Sequence, residues 1–234
     1  MKKHEIISEE ILEDIEKGNF KPGDLIPTEV ELAKKYSVSR PTVRQGIQTL
    51  VDQGYLDRTA GIGTRVLNKK INQDFTNILQ SFDVEMIEKG LEPSTKLLSL
   101  NLINANEEVS EMMNIDLHTD VYRLVRLRFV NDTPIVLVIT YIPSDEVPGF
   151  MDNDFEINRL YSILEKAGKK VTHVTRNLEL GYVDVLTSAL LEINENSPVF
   201  KFKSIGRTED ETIIEYSISE YRPDMNNFSF EVRL

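Results

Sequence analysis

The 234-residue sequence predicts an α+β protein of two domains. Helical periodicity is concentrated in the first third of the chain, where a glycine-rich hairpin follows the helices. The rest alternates short helical segments with long β-rich runs, which is typical of one mostly antiparallel sheet covered by helices. We place the first domain at residues 1–68, a polar linker at 69–75 and the second domain at 76–234.

The first two helices are predicted from periodicity and capping. Ile7, Ile11 and Ile15 recur at every fourth position, which predicts an amphipathic helix. A second helix begins at Thr28, because Glu31 follows three residues later and can complete a capping box.

A third helix and a hairpin complete the first domain. The helix begins at Ser39 after a short turn, and Pro41 lies in its first turn, where a missing amide proton costs nothing. Residues 55–58 and 64–66 have strand character, and residues 59–63 supply glycines between them. Three helices followed by this hairpin predict a winged helix-turn-helix, with the hairpin as the wing.

The outward side of the third helix carries residue types that read DNA. Arginine can bond guanine and glutamine can bond adenine through paired hydrogen bonds, and hydroxyls bond phosphates. For an isolated helix, a solvated polar face would be the simpler interpretation, but it does not explain the turn before the helix or the hairpin after it. The outward residues are Arg40, Thr42, Arg44, Gln45 and Gln48.

Residues 21–66 resemble the DNA-binding domain of GntR-type bacterial transcription regulators, on the string KPGDLIPTEVELAKKYSVSRPTVRQGIQTLVDQGYLDRTAGIGTRV. The resemblance implies contacts with double-stranded, palindromic operator DNA, to which Arg40 and Arg44 are expected to contribute most. The residues matching the family's DNA-contacting positions are Thr28, Glu29, Ser39, Arg40, Thr42, Arg44, Gly61, Gly63 and Thr64.

Charge is divided unequally along the chain. Residues 1–70 carry 12 basic and 11 acidic side chains, whereas the remainder carries 15 basic and 28 acidic ones. This asymmetry fits a DNA-reading module joined to an acidic body that phosphates repel. The near-neutral first domain predicts operator affinity from a few placed contacts and from dimerisation, and a steep fall with salt.

Composition also limits the class of protein. No apolar run is long enough for a membrane span, and the start MKKHEIISEE lacks the apolar core of a signal peptide. There is no cysteine, and His4, His118 and His173 show no metal-ligand spacing. We therefore expect a cytoplasmic protein with no membrane partner, no metal and no cofactor.

The second domain is predicted to alternate helices and strands. Residues 131–134 join two long strands with hairpin chemistry. The predicted order is a helix over 75–89, a strand over 95–103, a helix over 107–113, strands over 121–130 and 135–142, a helix over 157–166, a strand over 171–182, a helix over 184–192, and strands over 199–207, 212–221 and 228–234.

Arg126 and Arg128 are two residues apart on a predicted strand, so both side chains leave the same face. Two guanidinium groups on a half-buried face need an anion, which can be a protein carboxylate or a bound ligand. From spacing alone, an internal salt bridge is the more common case.

Residues from about 75 to 234 resemble the UTRA ligand-sensing domain of HutC-type GntR regulators, a fold similar to chorismate lyase. The supporting strings are VRLRF, TPIVLVITYIP, RLYSILEKAG and IIEYSISEYRPDMNNFSF. The resemblance implies an anion clamp of Ser81, Phe82, Ser94, Arg126 and Arg128 for a phosphorylated sugar. It also implies ligand contacts from Glu215 and Tyr221. Tyr161, at helical spacing with Ile157 and Leu164, is expected to face the core and to line the ligand pocket.

The sequence departs from the family pattern in two places. Val138 or a near neighbour stands where the family often has a glutamate, and Arg159 replaces the serine of a Ser-Leu-Tyr string. Losing an acid and gaining a cation point to a less hydroxyl-rich or more anionic effector than an acetylated amino-sugar phosphate.

These observations predict a homodimeric transcription repressor that responds to a phosphorylated sugar or a related small anion. A two-fold pair of recognition helices reads a palindrome, which one helix alone cannot. Two alternatives stay open: a constitutive DNA-binding dimer without an effector, and a lyase-like enzyme. The enzyme lacks support because the sequence contains no metal cluster, phosphate-binding glycine loop or nucleophile–base pair, and we name no catalytic residue.

Overall fold

The computed structural model describes residues 2–67, 70–73 and 80–230. The chain forms two compact units, Met1–Lys70 and Ile71–Leu234. None of the helices in the described ranges combines the length and apolar character needed to span a bilayer.

The first unit contains three helices and a hairpin. Ile7 and Ile11 of the first helix pack against Ile47 and Leu50 of the third, and Leu56 of the hairpin joins the same core. The elements are α1 Lys3–Glu16, α2 Glu29–Lys35, α3 Arg40–Asp52, β1 Leu56–Thr59 and β2 Gly63–Val66.

The predicted capping box at Thr28 is confirmed. The Glu31 amide donates to the Thr28 hydroxyl at 3.3 Å, and the Thr28 amide donates to the Glu31 carboxylate at 2.7 Å. Ser39 precedes α3 as predicted, but its hydroxyl bonds the Thr42 hydroxyl at 2.9 Å instead of capping a backbone amide. Two polar side chains are thereby fixed at the start of α3.

The second unit is built on a six-stranded antiparallel sheet with strand order β4-β5-β6-β9-β8-β7. The strands are β4 Pro93–Asn104, β5 Asp120–Val130, β6 Thr133–Pro143, β7 His173–Tyr182, β8 Pro198–Arg207 and β9 Ile213–Tyr221. The helices are α4 Phe82–Glu88, α5 Glu107–Met113, α6 Leu160–Lys166 and α7 Val185–Leu191, with a single 3-10 turn at Phe150–Asp152.

Side-chain alternation along β5 sends consecutive residues to different layers. Leu124 belongs to a core with Leu160 and Leu164 of α6, whereas Val125 belongs to a core with Leu191 of α7. Helix α4 packs on the same face as α6, and helix α5 on the same face as α7. The mostly antiparallel sheet covered by helices is therefore as predicted.

Most predicted boundaries of the second unit agree with the structure to within two residues, and three predictions differ by more. Residues 74–79 of the predicted helix over 75–89 lie outside the described ranges, and α4 begins at Phe82, where the Ser81 hydroxyl accepts from the Val84 amide at 3.4 Å. The helix predicted over 157–166 begins only at Leu160, because the backbone of Arg159 is extended and this residue is the N-cap.

The third difference concerns the linker and the last strand. Ile71–Gln73, inside the predicted linker, form a strand β3 that pairs in parallel with β10, Asn226–Phe228. Ile71 and Gln73 are buried and Asn72 is exposed, so a period of two is present but too short to stand out. Of the strand predicted over 228–234, only Phe228 is in a strand among the described residues, as the last residue of β10, and residues 231–234 lie outside the described ranges.

Candidate DNA-binding surface and ligand cavity

One carboxylate organises the arginines around α3. The Glu29 carboxylate accepts from Arg44 Nε at 3.0 Å and from Arg44 Nη2 at 2.8 Å. Arg58 Nη2 lies 3.5 Å and Arg40 Nη2 3.8 Å from the same carboxylate. The hydrogen bonds from Arg44, followed by the charges of Arg44, Arg58 and Arg40, lower the pKa of Glu29. Glu29 therefore holds the Arg44 guanidinium in a fixed orientation at the protein surface.

The residues predicted to contact DNA are not buried. They lie at the start of α2, along the first two turns of α3 and in the wing, where Gly61 has φ 78° and Gly63 has φ 129°. Those left-handed φ values favour glycine at both wing positions. The predicted set is Thr28, Glu29, Ser39, Arg40, Thr42, Arg44, Gly61, Gly63 and Thr64.

Arg58 was not predicted from the sequence. Its guanidinium donates to the carbonyl oxygen of Arg44 at 3.3 Å and to the Gln48 side chain at 3.5 Å, which joins β1 to α3. The sequence placed Arg58 in a strand, but which side of a two-stranded hairpin faces the helix requires the fold.

The second unit contains a cavity of about 920 Å³, including its opening, on the face of the sheet that α4 and α6 cover. Seven of the eight residues predicted to bind ligand line it: Ser81, Phe82, Arg126, Arg128, Tyr161, Glu215 and Tyr221. Polar residues that were not predicted also line it: Gln73, Thr95, Arg176, Ser204, Ser217 and Ser219.

Ser94 does not line this cavity. In the pairing of β4 with β5, Thr95 lies opposite Arg128, whereas Ser94 lies opposite Phe129. Because opposite residues of an antiparallel pair share a face, Thr95 and not Ser94 faces the cavity with the arginines. The position at the cavity that was predicted for Ser94 is thus taken by the next residue of the strand, Thr95.

Within the described ranges, neither strand arginine forms a salt bridge with a carboxylate. Arg126 is 3% exposed, and its Nη2 makes a long contact of 3.5 Å with the Thr140 hydroxyl. The Arg128 guanidinium lies 4.9 Å from the centre of the Phe82 ring. Both Nε atoms are buried without a hydrogen-bond partner, and no carboxylate of the described residues lies within 4.0 Å of either guanidinium. The internal salt bridge that spacing alone favoured is thus not found within the described ranges.

Burial shifts the pKa values of two ionisable groups of the cavity, Arg126 and Glu215. Burial, followed by the positive charge of Arg128, lowers the pKa of Arg126 to about 9. Burial also raises the pKa of Glu215, against hydrogen bonds from Tyr161 and Ser217 and the positive charges of Arg126 and Arg176. The cavity therefore has a cationic part at the two strand arginines and a mixed polar part at Glu215.

A metal ion in a protein needs several ligand side chains placed close together. Throughout the part of the chain that the structure describes, no group of three or more His, Asp or Glu side chains is placed to hold a metal ion. What the cavity offers is hydrogen-bond donors, acceptors and unpaired positive charge.

A winged helix-turn-helix with arginines on its third helix, followed by a domain with a polar cavity, defines a DNA-binding regulator with a ligand-binding domain. Residues 3–66 match the model of the bacterial regulatory proteins of the gntR family, and residues 88–226 match the UTRA domain. The chain belongs to the GntR family of transcriptional regulators and carries a UTRA domain.

Several relatives span nearly the whole chain. The HTH-type transcriptional repressor NagR of Bacillus subtilis is 28% identical over 223 residues, covering 95% of this chain and 91% of NagR. The regulator YurK of the same organism is 31% identical over 209 residues, covering 89% of this chain and 86% of YurK. The crystal structure of PhnF from Mycobacterium smegmatis superposes with a TM-score of 0.78 at 25% identity, covering 97% and 99% of the two chains.

Proposed function

We propose that this protein is a homodimeric transcription repressor whose affinity for a palindromic operator is controlled by a small organic anion, such as a phosphorylated sugar. The observation that carries the proposal is the pair Arg126 and Arg128, which share a cavity and have no protein counter-ion among the described residues. Residues 1–68 are assigned to DNA binding and residues 76–234 to effector binding and dimerisation.

The unpaired arginines favour a ligand that brings negative charge. A buried charge without a partner is unstable, so it is retained only where another group supplies the counter-ion. A phosphoryl or carboxylate group can accept from both guanidinium groups, with Ser81 and Thr95 as further donors at the same wall.

The two departures from the family pattern lie at the cavity. Val138 lines it between Arg126 and Ser219 in the sheet, and Arg159 lines it while its Nε is 3.9 Å from the Asp83 carboxylate. An apolar residue and an extra cation at these positions support an effector that is more anionic than an acetylated amino-sugar phosphate.

One relative regulates a system for a compound of this class, a small organic anion. MngR of Escherichia coli, 29% identical over 224 residues, is the mannosyl-D-glycerate transport/metabolism system repressor. That system handles a sugar derivative with a carboxylate, so a sugar-like anion is a reasonable class for the cavity of the present chain.

DNA binding is proposed to occur through α3 and the wing, with Arg40 and Arg44 reading bases. One recognition helix covers only a few base pairs, so a two-fold dimer is needed for discrimination. Fixed orientation of Arg44 by Glu29 suits paired hydrogen bonds to one guanine.

Selection of bound duplexes from a random DNA pool tests the proposal. The purified protein is incubated with the pool at moderate salt, with and without a panel of sugar phosphates, and the bound fraction is sequenced. We expect an enriched palindrome whose enrichment falls with one compound. No enriched motif would contradict the DNA-binding assignment, and a motif unaffected by every compound would favour a constitutive DNA-binding dimer.

A further inference from the structure

Among the described residues that line the cavity, three buried polar atoms have no hydrogen-bond partner, and they are not of one kind. Arg126 Nε and Arg128 Nε are hydrogen-bond donors, whereas Gln73 Oε1 is an acceptor. Gln73 is 1% exposed, so water outside the cavity cannot satisfy this oxygen. An anion that only accepts hydrogen bonds can satisfy the two arginines but leaves Gln73 unpaired.

A chain of hydrogen bonds fixes which way the Gln73 amide points. The Asn226 Nδ2 donates to the carbonyl oxygens of Ile135 at 3.1 Å and Arg222 at 2.8 Å, which leaves Asn226 Oδ1 as an acceptor. Gln73 Nε2 donates to that oxygen at 2.7 Å. A flipped Gln73 amide would place two acceptors against each other, so Oε1 must be the atom without a partner.

We infer that Gln73 Oε1 is a subsite for a hydrogen-bond donor of the effector, which is therefore an organic anion that also carries a hydroxyl or amine group. This inference rests on the proposed function, because it takes the anion at Arg126 and Arg128 as given. It adds a residue outside the implied anion clamp and a requirement on the chemistry of the ligand.

The position of Gln73 in the chain gives the subsite a second consequence. Strand β3 begins at Ile71, directly after the end of the first unit at Lys70, and Gln73 is the last residue of that strand. The Ile71 amide donates to the Met225 carbonyl at 2.7 Å, so β3 is held to the second unit by its pairing with β10 and by the Gln73–Asn226 bond. A ligand bonded to Gln73 contacts the first strand after the DNA-binding unit.

Two probes that differ only in hydroxyl groups test the subsite. Propyl phosphate and glycerol 3-phosphate have the same phosphoryl group and carbon chain, but only the second can donate from its carbon chain. We expect the wild-type protein to bind glycerol 3-phosphate about ten-fold more tightly in calorimetry, the value of one buried hydrogen bond. We also expect the side-chain carbonyl carbon resonance of Gln73 to shift with glycerol 3-phosphate and not with propyl phosphate.

Variants assign the preference to this residue. Gln73→Met and Gln73→Leu should bind both phosphates with the affinity that the wild type has for propyl phosphate. The control Asn72→Leu changes the exposed neighbour on the same strand and should keep the ten-fold preference.

The outcomes separate the subsite from the anion site. Three outcomes would overturn the donor subsite while the anion site stands. They are equal binding of the two phosphates to the wild type, an unmoved Gln73 resonance, and a preference that survives in folded Gln73 variants. If neither phosphate binds the wild type at millimolar concentration, the anion assignment itself fails and the donor subsite fails with it. The resonance measurement decides the question even if both variants fail to fold.

Discussion

Glu29 is the carboxylate to which the arginines of the predicted DNA-binding surface are tied. The resemblance implies a contact with the operator, and a carboxylate can make one by accepting from the amino group of cytosine. In the structure it holds Arg44 through two hydrogen bonds and lies near Arg40 and Arg58. Its proposed role is to orient the arginines that bind DNA.

Replacing Arg44 should therefore reduce both affinity and sequence preference. We expect Arg44→Ala to weaken operator binding by about ten- to a hundred-fold, the value of one bidentate contact with a base, and to relax preference at one position of each half-site. Fluorescence anisotropy with duplexes varied at single positions measures this. Lys17→Ala removes the same charge from the end of α1 and should change affinity little; equal effects of the two variants would contradict a specific role for Arg44.

Arg126 should destabilise the protein that lacks ligand. Burial, followed by the charge of Arg128, lowers its pKa to about 9, so the cation is less favourable in the folded protein than in the unfolded chain. We expect Arg126→Met to raise the free energy of unfolding by about 1–4 kcal/mol and to abolish anion binding. Arg123→Met, on the other face of β5, should do neither. Loss of stability in Arg126→Met would indicate a structural role instead.

The buried Glu215 carboxyl should make the stability of the protein depend on pH. Burial raises the pKa of the Glu215 carboxyl in the folded protein. The stability that the protonated carboxyl contributes is therefore fully present below the pKa of the unfolded chain, about 4.3. It is lost as the pH rises through the pKa of the folded protein. Glu215→Gln should therefore raise the melting temperature at pH 7.5, and the gain should disappear as pH falls below about 4.3. Thermal unfolding from pH 4 to 8 measures this, with exposed Glu209→Gln as the control. A gain that does not change with pH would contradict burial as its cause.

Residue-level prediction from the sequence succeeded where chemistry is local. The spacing of Arg126 and Arg128 already placed both on one face of a strand. Arg176, Ser204 and Ser217 lie side by side across β7, β8 and β9, and only the strand order brings them to the same cavity. Sequence spacing carries no information about neighbours across a sheet.

At the scale of elements, Gly46 sets how closely α1 approaches α3. A Cβ atom at this position would lie 2.9 Å from the carbonyl oxygen of His4 and 3.2 Å from Ile7 Cγ2. Helix propensity alone predicts that Gly46→Ala stabilises α3 by about 1 kcal/mol. We expect the clash with backbone to outweigh this gain and to destabilise the first unit by about 1–2 kcal/mol net.

Hydrogen exchange of the full-length protein measures the effect in the first unit separately. Peptides from α1 and α3 should exchange faster in Gly46→Ala than in the wild type, and peptides from the second unit should not change. Gln45→Ala, one residue earlier and exposed, is the matched control and should leave exchange unchanged or slower. Slower exchange in Gly46→Ala would show that propensity decides over packing.

Elements with strong local signals were predicted closely, and those defined by pairing were not. The helix over 107–113 agrees with α5, and the turn predicted over 131–134 contains the two-residue turn Asn131–Asp132, where both residues have positive φ. Strand β3 has only three residues and pairs with a segment more than 150 residues away. Such a strand exists because of its partner, so its own sequence identifies it poorly.

At the scale of the whole molecule, control of operator binding by a ligand requires that binding in one unit be energetically coupled to binding in the other. If a ligand in the second unit changes operator affinity, the operator must change ligand affinity by the same factor. The division of charge matters here too, because the acidic residues are concentrated beyond residue 70, whereas residues 1–70 carry 12 basic and 11 acidic side chains.

The central claim is that anion binding at Arg126 controls operator binding, and one titration tests it. Operator affinity is measured for the wild type and Arg126→Met against the selected palindrome, with and without the sugar phosphates of the panel at saturation. We predict that one compound changes wild-type affinity by about ten-fold or more, within the usual range of allosteric coupling, and leaves Arg126→Met unchanged. The same change in Arg126→Met, or no change in the wild type with a compound that binds it, would contradict the account.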